Sequence, residues 1–188
     1  MKYYSKYTIT LFMLLVSFLV TAETRITRTY QLLNHELIQL EVPISWQQKL
    51  NQPSEQLPLT ITFAPKTGSS FLTLVTIYSA HQGIATLTPS GMKAHVERAA
   101  ESAKHQAVEK TIIVKELKDS SAMMGFYFSA TDKSPKPSEY KYMTQGIFRI
   151  GDLTSAFTIL TNEEAESIVT DSLTMLKSAV LVQKEPNN

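Results

Sequence analysis

Residues 140–160, YKYMTQGIFRIGDLTSAFTIL, carry the clearest signal of an antiparallel sheet in this sequence. They contain two runs, residues 140–150 and residues 153–160, that are rich in the β-branched and aromatic side chains typical of strands. Only Gly151 and Asp152 separate the two runs, and a dipeptide of this kind predicts a very tight hairpin between antiparallel strands. We therefore expect this part of the chain to form neighbouring strands of an antiparallel sheet.

Polar and turn-forming segments divide the rest of the chain into similar short runs. Asn34 and His35 separate the first two runs and predict a hairpin turn. Residues 47–58 are polar and include two prolines, and residues 133–138 combine Lys, Ser and Pro, so we expect a loop in both places. The runs between such segments have strand composition. They are residues 28–33, 36–42, 59–64, 71–79, 111–117 and 122–130.

The first helix is predicted to begin at Thr88-Pro89. Threonine is a favoured N-cap, and proline is favoured at the first helical position. Positions at helical spacing then form a narrow face made mostly of alanine, which allows a helix to pack closely on a sheet. These positions are Met92, Val96, Ala99, Ala103 and Ala107.

A second helix is predicted from about Asn162 toward the end of the chain. Thr161 and Glu164 have capping-box spacing, and the neighbouring acidic residues suit the positive end of a helix. Apolar residues at helical spacing give this helix one buried side. Residues 181–188 are expected to fray.

The resulting order is β-β-β-β-α-β-β-β-β-α, which predicts a single α+β domain with no internal repeat. Apolar side chains fall on both faces of the strand at residues 71–79, so we expect cover on both sides of the sheet. Phe71, Val75 and Ile77 belong to one face, and Leu72, Leu74 and Tyr78 belong to the other. The prediction is an αβα sandwich, a mostly antiparallel sheet covered by two main helices.

The N-terminus has the order of a secretory signal. Lys2 and Lys6 precede an apolar run at residues 9–20, and the small residue Ala22 comes just before Glu23. The run is shorter than the ~20 apolar residues that a membrane-spanning helix needs. We therefore expect residues 1–22 to be a cleaved signal peptide and residues 23–188 to be one exported domain, without a stable membrane anchor after processing.

Composition excludes several functional classes. The 188 residues include no cysteine, which rules out disulfide scaffolds and thiolate chemistry. Residues 1–22 hold two of the 18 basic residues and none of the 17 acidic ones, so the mature chain has a net charge near −1. This balance lacks the basic excess of a nucleic-acid binder, so no nucleic-acid partner is expected.

The order of elements resembles the PsbP-like superfamily, which includes Ran-release-factor-like and DcrB-like proteins. The resemblance begins with residues 40–46, LEVPISW, a strand that ends in a proline and a tryptophan. It continues through the strand at residues 71–79, the helix after Thr88-Pro89 and the strands of residues 111–160. It ends with the helix that contains Asp171-Ser172-Leu173, so that it covers nearly all of residues 27–181. The resemblance implies a non-enzymatic domain that binds partners or assists assembly, with no shared catalytic residues.

Four residues are candidates for partner contact. Trp46 is the only tryptophan and has two alternative roles, a plug in the core or a half-exposed side chain in a partner groove. Tyr140 and Tyr142 are predicted on one face of a strand, with Lys141 opposite. Tyrosine is enriched at protein interfaces, so the pair and the basic loop before it form a candidate recognition patch. Ordinary cover of a sheet is the alternative.

Two short motifs resemble those of penicillin-recognising serine enzymes. Ser90 and Lys93 have the Ser-x-x-Lys spacing, and Lys66-Thr67-Gly68 follows a predicted strand. In such an enzyme the lysine activates the serine, and the second motif lines the substrate groove. Here the motifs come in the reverse order and the Ser-Asp-Asn element is absent. Ser90 is therefore expected to support the start of the helix, and no catalytic residue is predicted.

The histidines do not predict a metal site. His95 and His105 share the first helix, but their spacing does not align them on one face, and no histidine pair has the i, i+4 spacing. We expect solvated histidines, with no metal and no cofactor.

The sequence thus predicts an exported protein, periplasmic or secreted, that binds a protein or ligand in the cell envelope without transforming it. A narrower alternative is an immunity protein that blocks a secreted toxin. A small periplasmic serine hydrolase that uses Ser90 and Lys93 is an alternative from another class. A structural envelope protein retained by residues 9–20 is a further one.

Overall fold

Ten strands and two helices make up the part of the chain that the structure, a computed structural model, describes: residues 23–32, 36–54, 57–78, 87–118, 123–163 and 165–183. The elements before the first helix are β1 (Arg25–Gln31), β2 (Glu36–Pro43), β3 (Trp46–Asn51), β4 (Leu59–Pro65) and β5 (Phe71–Tyr78). Next come α1 (Pro89–Ala103), β6 (Lys115–Lys118), β7 (Met123–Thr131), β8 (Tyr142–Ile150) and β9 (Leu153–Thr161). The chain continues with α2 (Glu166–Lys177) and β10 (Val180–Gln183).

The strands form two antiparallel sheets. The larger has seven strands in the order β3-β4-β5-β9-β8-β7-β6, and the smaller has three in the order β1-β2-β10. The predicted hairpin of β8 and β9 is confirmed, with Ile150 paired to Leu153 and Gly151 in the left-handed region at φ 54°. That conformation costs a glycine little, which explains the tightness of the turn.

One face of the seven-stranded sheet packs against the smaller sheet and α2. β5 shows how the sequence builds this face: Phe71, Val75 and Ile77 are buried on it, as predicted, while the alternate side chains are only half-buried. Thr73 lies in the same row and shares a buried hydrogen bond of 3.0 Å with Ser172 of α2. The core thus extends from the small sheet across the large sheet to α2.

The opposite face carries α1, which packs on β7 and β8. Met92, Val96 and Ala100 of α1 are buried against Phe128 and Ile147 of the sheet. The predicted N-cap is confirmed, because the Thr88 hydroxyl accepts a hydrogen bond from the Gly91 amide and Pro89 is the first helical residue. Two helices on opposite faces of a mostly antiparallel sheet confirm the α+β class and the layered arrangement.

Several predicted boundaries are wrong. Residues 46–51 form an edge strand rather than a loop, because β3 pairs only with β4 and can be polar. Residues 181–183, which were expected to fray, belong to β10 and pair with β2. The strand predicted at residues 111–117 is limited to Lys115–Lys118.

The fourth correction concerns the start of α2. β9 continues to Thr161, so its hydroxyl is not an N-cap; it donates instead to the carbonyl of Glu163. The helix begins at Glu166, with Ala165 at the N-cap and no side-chain cap. Glu164, the Asn34-His35 turn and residues 1–22 lie outside the described residues.

Candidate functional site

Two cavities flank the end of the seven-stranded sheet where β7 ends, β8 begins and β9 ends. One lies on the face that carries α1, and we call it the α1-side cavity. The other lies on the face that carries α2, and we call it the α2-side cavity. Ala130, Thr131 and Met143 line both, so this end of the sheet forms the wall between them.

The α1-side cavity has a volume of about 230 Å³. Most of its wall is apolar, with polar groups from Gln106, Asp132, Tyr140 and Lys141. The volume is smaller than the ~300–1,000 Å³ typical of small-molecule sites. A cavity of this size and character suits an apolar side chain of a partner with polar contacts around it. Its apolar wall comes from Ala103, Ala107, Ala130, Met143 and Leu160.

Backbone hydrogen bonds hold the walls of the α1-side cavity together. The Val108 amide donates to the Thr131 carbonyl at 2.8 Å, and the Asp132 amide donates to the Lys141 carbonyl at 2.8 Å. The Lys133 amide donates to the Gln106 carbonyl at 3.0 Å. These bonds join the segment after α1, the end of β7 and the residue before β8. Because the backbone around the cavity is already held in place, a partner would bind there with little loss of backbone entropy.

The structure separates the two candidate tyrosines. β8 begins only at Tyr142, so the predicted alternation does not extend to Tyr140. Tyr140 lines the α1-side cavity with Lys141, whereas Tyr142 lines the α2-side cavity. The Lys141 ammonium lies 5.3 Å from the centroid of the Tyr142 ring, within the range of a cation–π contact.

Trp46 lies in the core rather than in a groove. Its side chain is 4% exposed, and its ring centroid is 4.7 Å from that of Phe71. It belongs to β3, at one edge of the large sheet, whereas Tyr140 and Lys141 lie just before β8. The structure therefore shows the core plug and not the half-exposed arrangement, and it does not bring Trp46 together with the other three candidates.

The α2-side cavity is larger, about 560 Å³, and its lining is rich in hydroxyl groups. The sheet contributes Tyr127, Ser129, Tyr142 and Thr144, and α2 contributes Thr170 among others. Burial raises the pKa of Tyr127 above its ordinary value, so the phenol stays protonated at neutral pH and is a hydrogen-bond donor.

Glu109 closes one side of the α2-side cavity. Partial burial favours the neutral acid, but hydrogen bonds from the hydroxyl and amide of Thr131 outweigh it and hold the pKa of Glu109 below its ordinary value. The two bonds measure 2.7 and 2.9 Å. Glu109 is therefore a carboxylate whose oxygens both have a partner from the protein.

Among the residues that it describes, the structure shows no hydrogen bond between those that the hydrolase hypothesis would use, Ser90 and Lys93. The Ser90 hydroxyl lies 3.1 Å from that of Thr88, and the Lys93 ammonium lies 3.8 Å from the carboxylate of Glu97. Lys66-Thr67-Gly68 lies in the turn between β4 and β5. In the described part of the chain, no hydrogen bond joins Ser90 to Lys93, so the serine lacks its activating partner.

His95 and His105 are both exposed, at the middle of α1 and just after its end. No group of three potential metal ligands comes together within the described residues. His35 and His81 lie outside those residues. That the protein binds no metal or cofactor remains a prediction.

The α2-side cavity was not predicted from the sequence. Glu109 lies in an irregular segment that carries no periodic sequence pattern. A signal did exist in β7, where Tyr127, Ser129 and Thr131 alternate and therefore share one face. The other face of β7 carries Met124, Phe126, Phe128 and Ala130, and the contrast between the two faces marks the cavity.

Neither helix within the described residues is long and apolar enough to cross a membrane. No family model matches the sequence. No curated protein matches it either.

Two solved structures resemble the fold. One is a protein of Bacteroides thetaiotaomicron VPI-5482, with 7% identity and a TM-score of 0.49; the match covers 79% of this chain and 46% of that one, so the chain spans less than half of that protein. The other is cyanobacterial PsbP (CyanoP) from Synechocystis sp. PCC 6803, with 9% identity and a TM-score of 0.54. That match covers 87% of this chain and 96% of CyanoP, and it supports the conclusion that this chain has a PsbP-like fold.

Proposed function

We propose that this protein is an exported, non-enzymatic accessory protein that binds a protein partner through the α1-side cavity. The observation that carries the proposal is the cavity itself: an apolar socket of about 230 Å³ with Tyr140 and Lys141 in its lining. Tyrosine is enriched among the residues that dominate binding energy at interfaces, and such residues cluster in well-packed pockets. The PsbP-like fold supports an accessory role, since the superfamily resemblance implies no shared catalytic residues.

Tyr140 is the residue to test. It is half-buried, it precedes β8, and its surroundings are fixed by the backbone bonds of the cavity wall. We expect Tyr140→Ala to weaken partner binding by about 2 kcal/mol, or about 30-fold, as truncation of an interface hot spot does. The measurement is capture of the partner on the immobilised mature protein, followed by titration of the purified pair.

The matched control is Tyr78→Ala. Tyr78 is half-buried at the end of β5 and lines neither cavity. We expect this variant to bind the partner like the wild type. Equal affinities for Tyr140→Ala and the wild type would contradict the proposed site, and repeated failure to recover any partner would contradict the proposed function.

Export is tested separately. The basic, apolar and small-residue order of residues 1–22 supports removal of this segment, which lies outside the described residues. We expect mass spectrometry of the protein from the envelope fraction to give a chain that starts at Glu23. A protein that keeps Met1–Ala22 would contradict cleavage.

The narrower role of an immunity protein stays a prediction. Inhibition of a secreted toxin by the purified protein would support it.

A further inference from the structure

We propose that the α2-side cavity binds a neutral saccharide. The cavity is separate from the α1-side cavity, on the other face of the sheet, and the proposal does not depend on partner binding there. Its volume of about 560 Å³ falls within the ~300–1,000 Å³ of small-molecule sites. Its floor is β-sheet and one wall is α2, with Glu109 from the irregular segment after α1 at one side, so most of the site stands on regular elements.

On the floor of the α2-side cavity, two tyrosine side chains are separated by side chains that carry hydroxyl groups. On β7 and β8, Tyr142 pairs with Thr131, Thr144 pairs with Ser129, and Gly146 pairs with Tyr127. The two tyrosines are therefore separated by four residues of strand, about 13 Å at the usual rise. The Ser129 and Thr144 hydroxyls lie between them, 2.8 Å apart. This spacing suits a short oligosaccharide rather than a single sugar.

Hydroxyl groups match the chemistry of a sugar. A hydroxyl both donates and accepts hydrogen bonds, as each sugar hydroxyl does, and the phenols of Tyr127 and Tyr142 have the same dual character. Thr170 adds a hydroxyl from an exposed position on α2. Both tyrosine side chains line the cavity and are half-buried, so they offer apolar surface to the C–H groups of a pyranose, and Val169 and Leu173 add apolar wall.

The charges at the cavity are balanced and favour neither an anion nor a cation. The lining has two carboxylates, Glu109 and Glu166, one ammonium, Lys115, and no arginine, and the Lys141 ammonium lies 5.3 Å from the centroid of the Tyr142 ring. Glu109 is a carboxylate at neutral pH and already accepts two hydrogen bonds from Thr131. Phosphate and carboxylate ligands are usually held by arginine pairs or by open helix N-termini, and here an acidic residue occupies the first turn of α2. A neutral polyol has no charge to pair and fits this balance.

The experiment is an NMR titration of the isotope-labelled mature protein with defined probes. The neutral arm contains tetrasaccharides of glucose in α and β linkage and of N-acetylglucosamine. The charged arms contain an oligogalacturonate and spermidine. We expect one of the neutral tetrasaccharides to shift the amide signals of Ser129, Tyr142 and Thr170. Preference for a charged probe, or no shift with any neutral probe at millimolar concentration, would overturn the proposal.

Variants then locate the site. Tyr142→Ala is expected to weaken binding of the positive tetrasaccharide about tenfold, since it removes a stacking ring. Tyr142→Phe keeps the ring, and its affinity should stay within about threefold of that of the wild type.

Because Tyr142→Ala also alters a strand, Thr170→Val is the second variant, with an expected loss of affinity of at least about threefold. Thr174→Val, on an exposed position one turn later outside the cavity lining, is its matched control and should bind like the wild type. Unchanged affinity in both Tyr142→Ala and Thr170→Val would overturn the proposal.

Discussion

Burial distinguishes the roles of the aromatic residues. Trp46 packs on Phe71 and Phe63, with ring centroids 4.7 and 6.4 Å apart, whereas Tyr140 is half-buried beside a cavity. The sequence identified both as candidates, because large aromatic side chains serve cores and interfaces alike. It could not separate the two roles, since the depth of Trp46 depends on the smaller sheet packing over β3 and β4.

Replacement of Trp46 tests its place in the core. We expect Trp46→Ala to lower the free energy of unfolding by about 3–5 kcal/mol, because it leaves a large cavity beside Phe71. Urea unfolding followed by circular dichroism measures the loss. Tyr140→Ala is the comparison, with an expected loss of about 1 kcal/mol at most, since its side chain is only half-buried. Similar losses for the two variants would contradict the assignment of Trp46 to the core and Tyr140 to the surface.

Glu109 predicts a pH-dependent contribution to stability. Its pKa is held below the ordinary value in the folded state by the bonds from Thr131, despite partial burial. A lowered folded-state pKa stabilises the fold above the unfolded-state pKa, and the contribution is lost as the pH falls through the folded-state pKa. We expect Glu109→Gln to cost about 1 kcal/mol at neutral pH, a value discounted because the carboxylate is partly exposed.

Urea unfolding of wild type and Glu109→Gln at several pH values measures this contribution. The gap between the two proteins should close as the pH falls into the acidic range. Glu97→Gln is the control; Glu97 is exposed on α1, and its ion pair with Lys93 is long at 3.8 Å, so a change below about 0.5 kcal/mol is expected. A gap for Glu109→Gln that is equal at neutral and acidic pH would refute the role of the carboxylate.

Among the elements, the strands with two neighbours were predictable, whereas the edge strands β3 and β10 were not. β5 has a strand on each side and alternates buried and half-buried side chains, so its pattern is strong. β3 pairs on one side only and exposes most of its residues, so its composition is that of a loop. β10 is four residues long and owes its conformation to pairing with β2, a contact that spans about 140 residues of sequence and leaves no local signal.

The close packing of β8 against its neighbours β7 and β9 requires a glycine at position 146. A Cβ added there would lie 2.7 Å from Cζ of Phe157 and also against the carbonyl oxygen of Phe126. The backbone oxygen cannot move away without breaking the sheet, so we expect Gly146→Ala to lower the free energy of unfolding by at least about 2 kcal/mol.

Thermal and urea unfolding measure this effect, with Gly91→Ala as the control. Gly91 lies in the first turn of α1, where the nearest atom to an added Cβ is the Thr88 hydroxyl at 3.2 Å. Alanine favours a helix over glycine, so a change within about 1 kcal/mol is expected. Wild-type stability in Gly146→Ala would show that the strands are farther apart than the structure gives.

In the molecule as a whole, the candidate sites form where other elements pack on both faces of the large sheet. α1 and the smaller sheet with α2 lie on opposite faces, and both leave a cavity at the same end of β7 and β8. The sequence predicted the layers and placed Tyr140, Lys141 and Tyr142 at this end. It could not predict that the sheet separates Tyr140 from Tyr142, because their faces depend on where β8 begins.

Crosslinking in intact cells shows whether Tyr140 lies at a protein interface. A photoreactive amino acid is introduced at position 140 and, in a second variant, at position 78, and the crosslinked products are identified by mass spectrometry. We expect one discrete adduct with an envelope protein from position 140 and none with that protein from position 78. The same adducts from both positions, or none from position 140 in cells that make the protein, would contradict the proposed interface.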